Sequence, residues 1–127
     1  MRVSLRTVGS FTLVDIHTAH LDDCTVVILR RTLNDLYKYK NTNIILNLGY
    51  VHSFENGLLP TVITMQKKLK KSGRYLSIYG LNQDILAIFY IIRLDEFINL
   101  YTSEHDALTF QNILTKRRLR VIKGNKI

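Results

Sequence analysis

The feature that most constrains this chain is a hydrophobic period that switches repeatedly between two and 3.6 residues along the sequence. Period two marks half-buried strands and period 3.6 marks amphipathic helices, so the order of switches is a provisional order of elements. From Arg2 the chain alternates, with Val3 and Leu5 apolar and Ser4 and Arg6 polar. Gly9-Ser10 then turns it, and Phe11, Leu13, Val14 and Ile16 resume, which predicts a β-hairpin. Leu21-Asp22-Asp23 predicts a helix entry, one Asp capping and the other meeting the positive end of the dipole. Val26, Leu29, Leu33 and Leu36 carry that helix to about Tyr39. The segment 44–48 is apolar throughout and predicts a strand buried on both faces. After a loop over 49–56, Gly57 opens a second helix, with Leu58, Val62, Met65 and Leu69 on one face and Pro60 in the first turn. Ser72-Gly73 stops it.

Residues 75–79 predict the next strand, and Asn82 caps a third helix carrying Ile85, Leu86, Ile88, Phe89 and Ile92. Residues 97–101 predict a last strand. Ser103, with Asp106 three residues on, opens a final helix whose face is Ala107, Phe110 and Leu114. Strands alternating with helices call for a mainly parallel sheet, and the opening hairpin adds an antiparallel pair at one edge. With 127 residues there is core for one domain, over residues 1–115, followed by a basic C-terminal tail over 116–127.

Charge is distributed unevenly. Lys116, Arg117, Arg118, Arg120, Lys123 and Lys126 account for most of the formal +8, and the rest of the chain is nearly balanced. The tail is therefore the part suited to an anionic surface, either lipid or nucleic acid. Lys67, Lys68, Lys70, Lys71 and Arg74 form a second cluster, whose ordinary reading is a solvated helix end favoured by the dipole. The longest apolar run, 85–92, is less than half of the roughly 20 residues a membrane-spanning helix needs. With no leader pattern, the expected location is the cytoplasm. Cys24 is the one cysteine, so there is no internal disulfide, and a small buried role is expected of it.

Catalytic patterns are missing. There is no glycine-rich phosphate loop, no GxSxG and no HExxH. His17 and His20 precede Asp22 and Asp23, yet on an extended segment the two rings point to opposite faces, so no metal is expected. The seven tyrosines are dispersed rather than gathered beside cations. The expectation is a chain without turnover, metal or cofactor.

The order hairpin, Leu21-Asp22 before a helix, the stretch from Asn43 to Val51, then Gly57-Leu58 opening a helix that ends in Lys70-Lys71-Ser72-Gly73, resembles the STAS domain. That is the fold of bacterial anti-sigma factor antagonists. Leu94-Asp95-Glu96-Phe97 and the segment 101–108 are similar to the family's later elements. The resemblance implies a STAS-like α/β domain with a four- or five-stranded mixed sheet, an N-terminal hairpin and about four helices. It also implies a signalling and transcription-regulating switch that binds a protein partner, a kinase or anti-sigma factor, and is phosphorylated on a serine of an Asp-Ser-Ser-Gly-Leu stretch. Among members without that serine it allows an accessory subunit on the ATPase of a lipid transporter.

The matching stretch here is Ser53, Phe54, Glu55, Asn56, Gly57 and Leu58. It is one residue shorter than the family pattern, so Glu55 stands at either the family's aspartate or its acceptor serine. No hydroxyl remains at the two positions before Gly57. Helix N-termini attract anions, so Glu55 reads as a fixed negative charge where a phosphate would bring roughly 1.5 to 2, with Asn56 as the helix cap. Ser53 is the one nearby hydroxyl that could take over as acceptor. The docking surface expected is the loop 52–57 with the helix from Gly57.

Overall fold

A computed structural model of the protein describes residues 2–114. The tail cations from Lys116 to Lys126 lie outside the described residues. In chain order the elements are β1 (Val3–Val8), β2 (Phe11–Ile16), β3 (His20–Leu21), α1 (Asp23–Tyr39), β4 (Asn43–Asn47), β5 (Ser53–Phe54), α2 (Leu58–Lys71), β6 (Leu76–Tyr79), α3 (Gln83–Ile91), a 3₁₀ turn (Leu94–Glu96), β7 (Asn99–Tyr101) and α4 (Glu104–Thr109). Five strands form one sheet in the order β1-β2-β4-β6-β7. β1 and β2 pair antiparallel, with Val3 opposite Ile16 and Val8 opposite Phe11, and every other pairing is parallel. The expected mixed sheet is therefore present, with the hairpin strand β1 at its edge and β4 at its centre.

The pleat divides the core in two. Val14, Ile16, Ile44, Leu46, Ile78 and Leu100 face the apolar stripes of α1, α2 and α3. Leu13, Ile45, Tyr79 and Tyr101 face the other way and are covered by Ala107 of α4. Three helix starts are capped as their sequences predict: the side chains of Asp22, Asn82 and Ser103 accept from the backbone N–H groups of Thr25, Ile85 and Asp106. At Gly80 the backbone is left-handed, φ +83°, and a Cβ there would lie 2.9 Å from the backbone of Gly49. Only glycine allows that approach of the loops after β4 and β6.

Three local expectations are corrected. The last strand is shorter than 97–101, because the carbonyl of Leu94 accepts from both Phe97 and Ile98 and holds the chain in a turn until Asn99. The last helix ends at Thr109, with Phe110 left-handed at its C-cap and exposed; Leu114 returns to bridge Leu100 at the β7 edge. Phe110 and Leu114 are therefore not part of a helical face. Cys24 is exposed rather than buried, because the stripe through Val26, Leu29 and Leu33 turns its position outward.

Candidate functional site

All the parallel strands run toward one end of the sheet, where α1, α2 and α3 begin and where loops can gather polar groups. There the segment before α1 meets the segment before α2. β3 and β5 form a separate two-stranded parallel sheet, with His20 opposite Ser53 and Leu21 opposite Phe54. The backbone N–H groups of His52 and Ser53 donate to the carbonyl of Ala19, and that of Glu55 donates to the carbonyl of Leu21. Alternation then sorts the side chains. Phe54 turns inward, 6.1 Å from the ring of Phe89, while Ser53 and Glu55 turn out beside His20.

The result is a hydrogen-bonded string on the surface. His20 Nδ1 lies 2.6 Å from Ser53 Oγ, and His20 Nε2 lies 3.1 Å from Glu55 Oε1. With the proton on Nε2, the ring donates to Glu55 and accepts from the Ser53 hydroxyl; when the imidazole is charged, the Glu55 contact becomes an ion pair. The sequence pattern singles out His20 only as a metal candidate and gives no sign of its pairing with Ser53 and Glu55. Its neighbour His17 bonds instead to Ser4 Oγ at 2.8 Å, so the two rings serve different partners. Among the described residues no three His, Cys, Asp or Glu side chains converge on a point that could hold a metal.

The start of α2 differs from expectation. Asn56 does not cap it: the N–H of Leu58 turns back to the carbonyl of Glu55, which places Gly57 at the cap, with no side-chain hydrogen bond there. A Cβ on Gly57 would come within 3.3 Å of Val26, so a small residue lets the loop lie against α1. Asn56 is exposed, and the Glu55 carboxylate points to His20 and not onto the helix N–H groups. The first turn of α2 therefore has no acid of its own and few N–H donors to offer an anion, since that of Leu58 is paired and Pro60 has none. Asn82, while capping α3, also donates to the carbonyls of Val51 and His52 at 3.4 Å and ties the loop to a third helix.

A second polar assembly occupies the same end on the α4 face. Arg6 grips Asp15 through Nε at 2.6 Å and Nη2 at 2.9 Å, and it also donates to Glu104 at 2.7 Å. Asn47 donates to Asp15, and Tyr79 donates to Glu104. The Arg6 guanidinium holds the carboxyls of Asp15 and Glu104 below their usual range. Burial, reinforced by Glu104, pushes the Tyr79 hydroxyl up to about 12. All members are mutually satisfied, which marks a structural clamp joining β1, β2, β4, β6 and α4.

The mixed five-stranded sheet with its opening hairpin presents a stapled loop at the start of its second helix. The chain belongs to the STAS domain family, whose model matches residues 3–107. An anti-sigma factor antagonist from Mycobacterium paratuberculosis has the same fold at 17% identity, TM-score 0.75, over 84% of this chain and 90% of that one. The Bacillus cell fate determinant SpoIIAA in its phosphorylated form superposes with TM-score 0.69 at 13% identity, over 87% and 99% of the two chains. The murine Slc26a9 anion transporter in its inward-facing state contains a similar unit, TM-score 0.67 at 13% identity, over 83% of this chain and 18% of that one. Comparison with curated protein sequences gives no match. No helix among the described residues is long and apolar enough to cross a membrane.

Proposed function

We propose that this protein is a regulatory interaction module of the cytoplasm that binds a protein partner without turnover, docking through the loop 52–57 and the first turns of α2. The observation that supports this most is the division of labour in that loop. Val51 and Phe54 anchor it in the core, while Ser53, Glu55 and Asn56 are exposed beside His20, with Ser53 and Glu55 held by its ring. A surface whose rotamers are fixed before binding loses less entropy when a partner arrives. In this reading the acceptor serine of the family has no counterpart before Gly57, and Glu55 supplies a standing negative charge that tunes affinity in place of a kinase. The partner is of the kinase or anti-sigma factor kind. The likeness to a unit within an anion transporter supports a second reading, a subunit that docks on a membrane transporter.

Hydrogen exchange tests the docking surface. On adding the partner identified from neighbouring genes, the amides of 52–57 and the start of α2 should gain protection; protection confined to β1 or α4 would overturn the assignment. Mass spectrometry of protein from its native cell tests the lost switch. Ser53 should carry no stoichiometric phosphate, and finding it modified would show that the switch has moved to that hydroxyl.

A further inference from the structure

The opposite end of the sheet carries a concentration of lysines. α1 and α2 both stop there, and Arg74 joins their ends by donating to the carbonyls of Lys40 and Tyr37 at 2.6 and 3.2 Å. Its guanidinium covers the Tyr37 ring at 5.1 Å, and Lys68 reaches Asn34 and the same ring. Those two cations are used locally. Lys38, Lys40, Lys67, Lys70 and Lys71 are different: all five are exposed and, among the described residues, none forms an ion pair. A helix dipole amounts to about half a charge at each C-terminus, so the ends of α1 and α2 do not balance five exposed ammonium groups. Leu114, the last described residue, pairs antiparallel with Leu100, and six more cations follow in sequence.

We infer that this lysine-rich end is a docking surface for an anionic lipid bilayer. Lysine is a compact point charge without the planar fork that reads phosphate geometry, which suits a diffuse negative surface better than a shaped site. Tyr39, 79% exposed among these lysines, is the amphipathic residue type that settles at a membrane–water interface. A single-stranded nucleic acid would call for several exposed rings beside the cations, and here Tyr37 is covered by Arg74. Docked this way, the protein would turn the loop 52–57 away from the membrane and leave it open to a partner. The inference does not depend on the function proposed for that loop.

The test is co-sedimentation of the full chain with vesicles of phosphatidylcholine alone and of phosphatidylcholine with about a third phosphatidylserine. Binding is expected to the anionic vesicles only and to be released by salt. The triple variant Lys67→Gln/Lys70→Gln/Lys71→Gln should bind at least about tenfold more weakly with an unchanged thermal melt. The inference is overturned if anionic vesicles are not bound, or if the triple variant binds like wild type while Lys116→Gln/Arg117→Gln/Arg118→Gln loses binding. Tighter association with a single-stranded RNA than with the vesicles would also overturn it.

Discussion

The end of the sheet where the helices begin and the end where they stop follow opposite electrostatic rules. At the first, several charges are paired and hydrogen-bonded: Arg6 with Asp15 and Glu104, His20 with Ser53 and Glu55, Asp22 with the N–H of Thr25. At the second, five lysines stand in solvent without a carboxylate partner. Paired groups fix geometry, which a specific protein epitope needs; unpaired like charges add long-range attraction, which requires no fixed geometry. The difference predicts that substitutions at the first end register in stability, and those at the second register in binding to charged surfaces.

The largest effect is expected at Asp15. Its side chain is nearly inaccessible, and Asp15→Ala leaves Arg6 and Asn47 without their shared acceptor, a loss of about 3 kcal/mol measurable by denaturant unfolding. Acid should reproduce part of this. Because Arg6 depresses the folded-state pKa of Asp15 and Glu104, their contribution is complete above the unfolded carboxyl range of about 4 and is lost as pH falls through the depressed values. The thermal midpoint should thus hold between neutral pH and about 5 and fall below that, with a shallower acid limb in Arg6→Gln. Asn82→Ala removes a helix cap and two contacts to the site loop, and should lower stability by about 1 kcal/mol. At the other end Lys67→Gln and Lys71→Gln should change stability by less than about 0.5 kcal/mol; a larger loss would mean that these lysines are structural and would remove the contrast.

Much of the fold was legible because its signals are local. The caps at Asp22, Asn82 and Ser103, the stripe of α1 and the apolar β4 each lie within one short window of sequence. The site was legible only in part. Ser53 to Leu58 could be placed at the start of α2, but the choice between Asn56 and Gly57 as cap turns on one backbone hydrogen bond, from Leu58 to Glu55, that carries no residue-type signature. The partnership of His20 with Ser53 and Glu55 joins two strands of two residues each, more than 30 positions apart, and segments that short show no period. The clamp of Arg6, Asp15 and Glu104 is hidden for the same reason, since α4 brings Glu104 back across the sheet to the hairpin.

The central claim is that Glu55 acts through its charge in a fixed epitope, and isothermal titration of the identified partner tests it most directly. Glu55→Gln keeps the size of the side chain and an oxygen toward His20 while removing the charge; Glu55→Ser removes both charge and reach. Both variants should change the affinity for the partner at least about fivefold, in the same direction, with the difference from wild type shrinking in high salt. Equal affinity for wild type, Glu55→Gln and Glu55→Ser would contradict the account and leave Glu55 as a residue that does no more than staple the loop to His20.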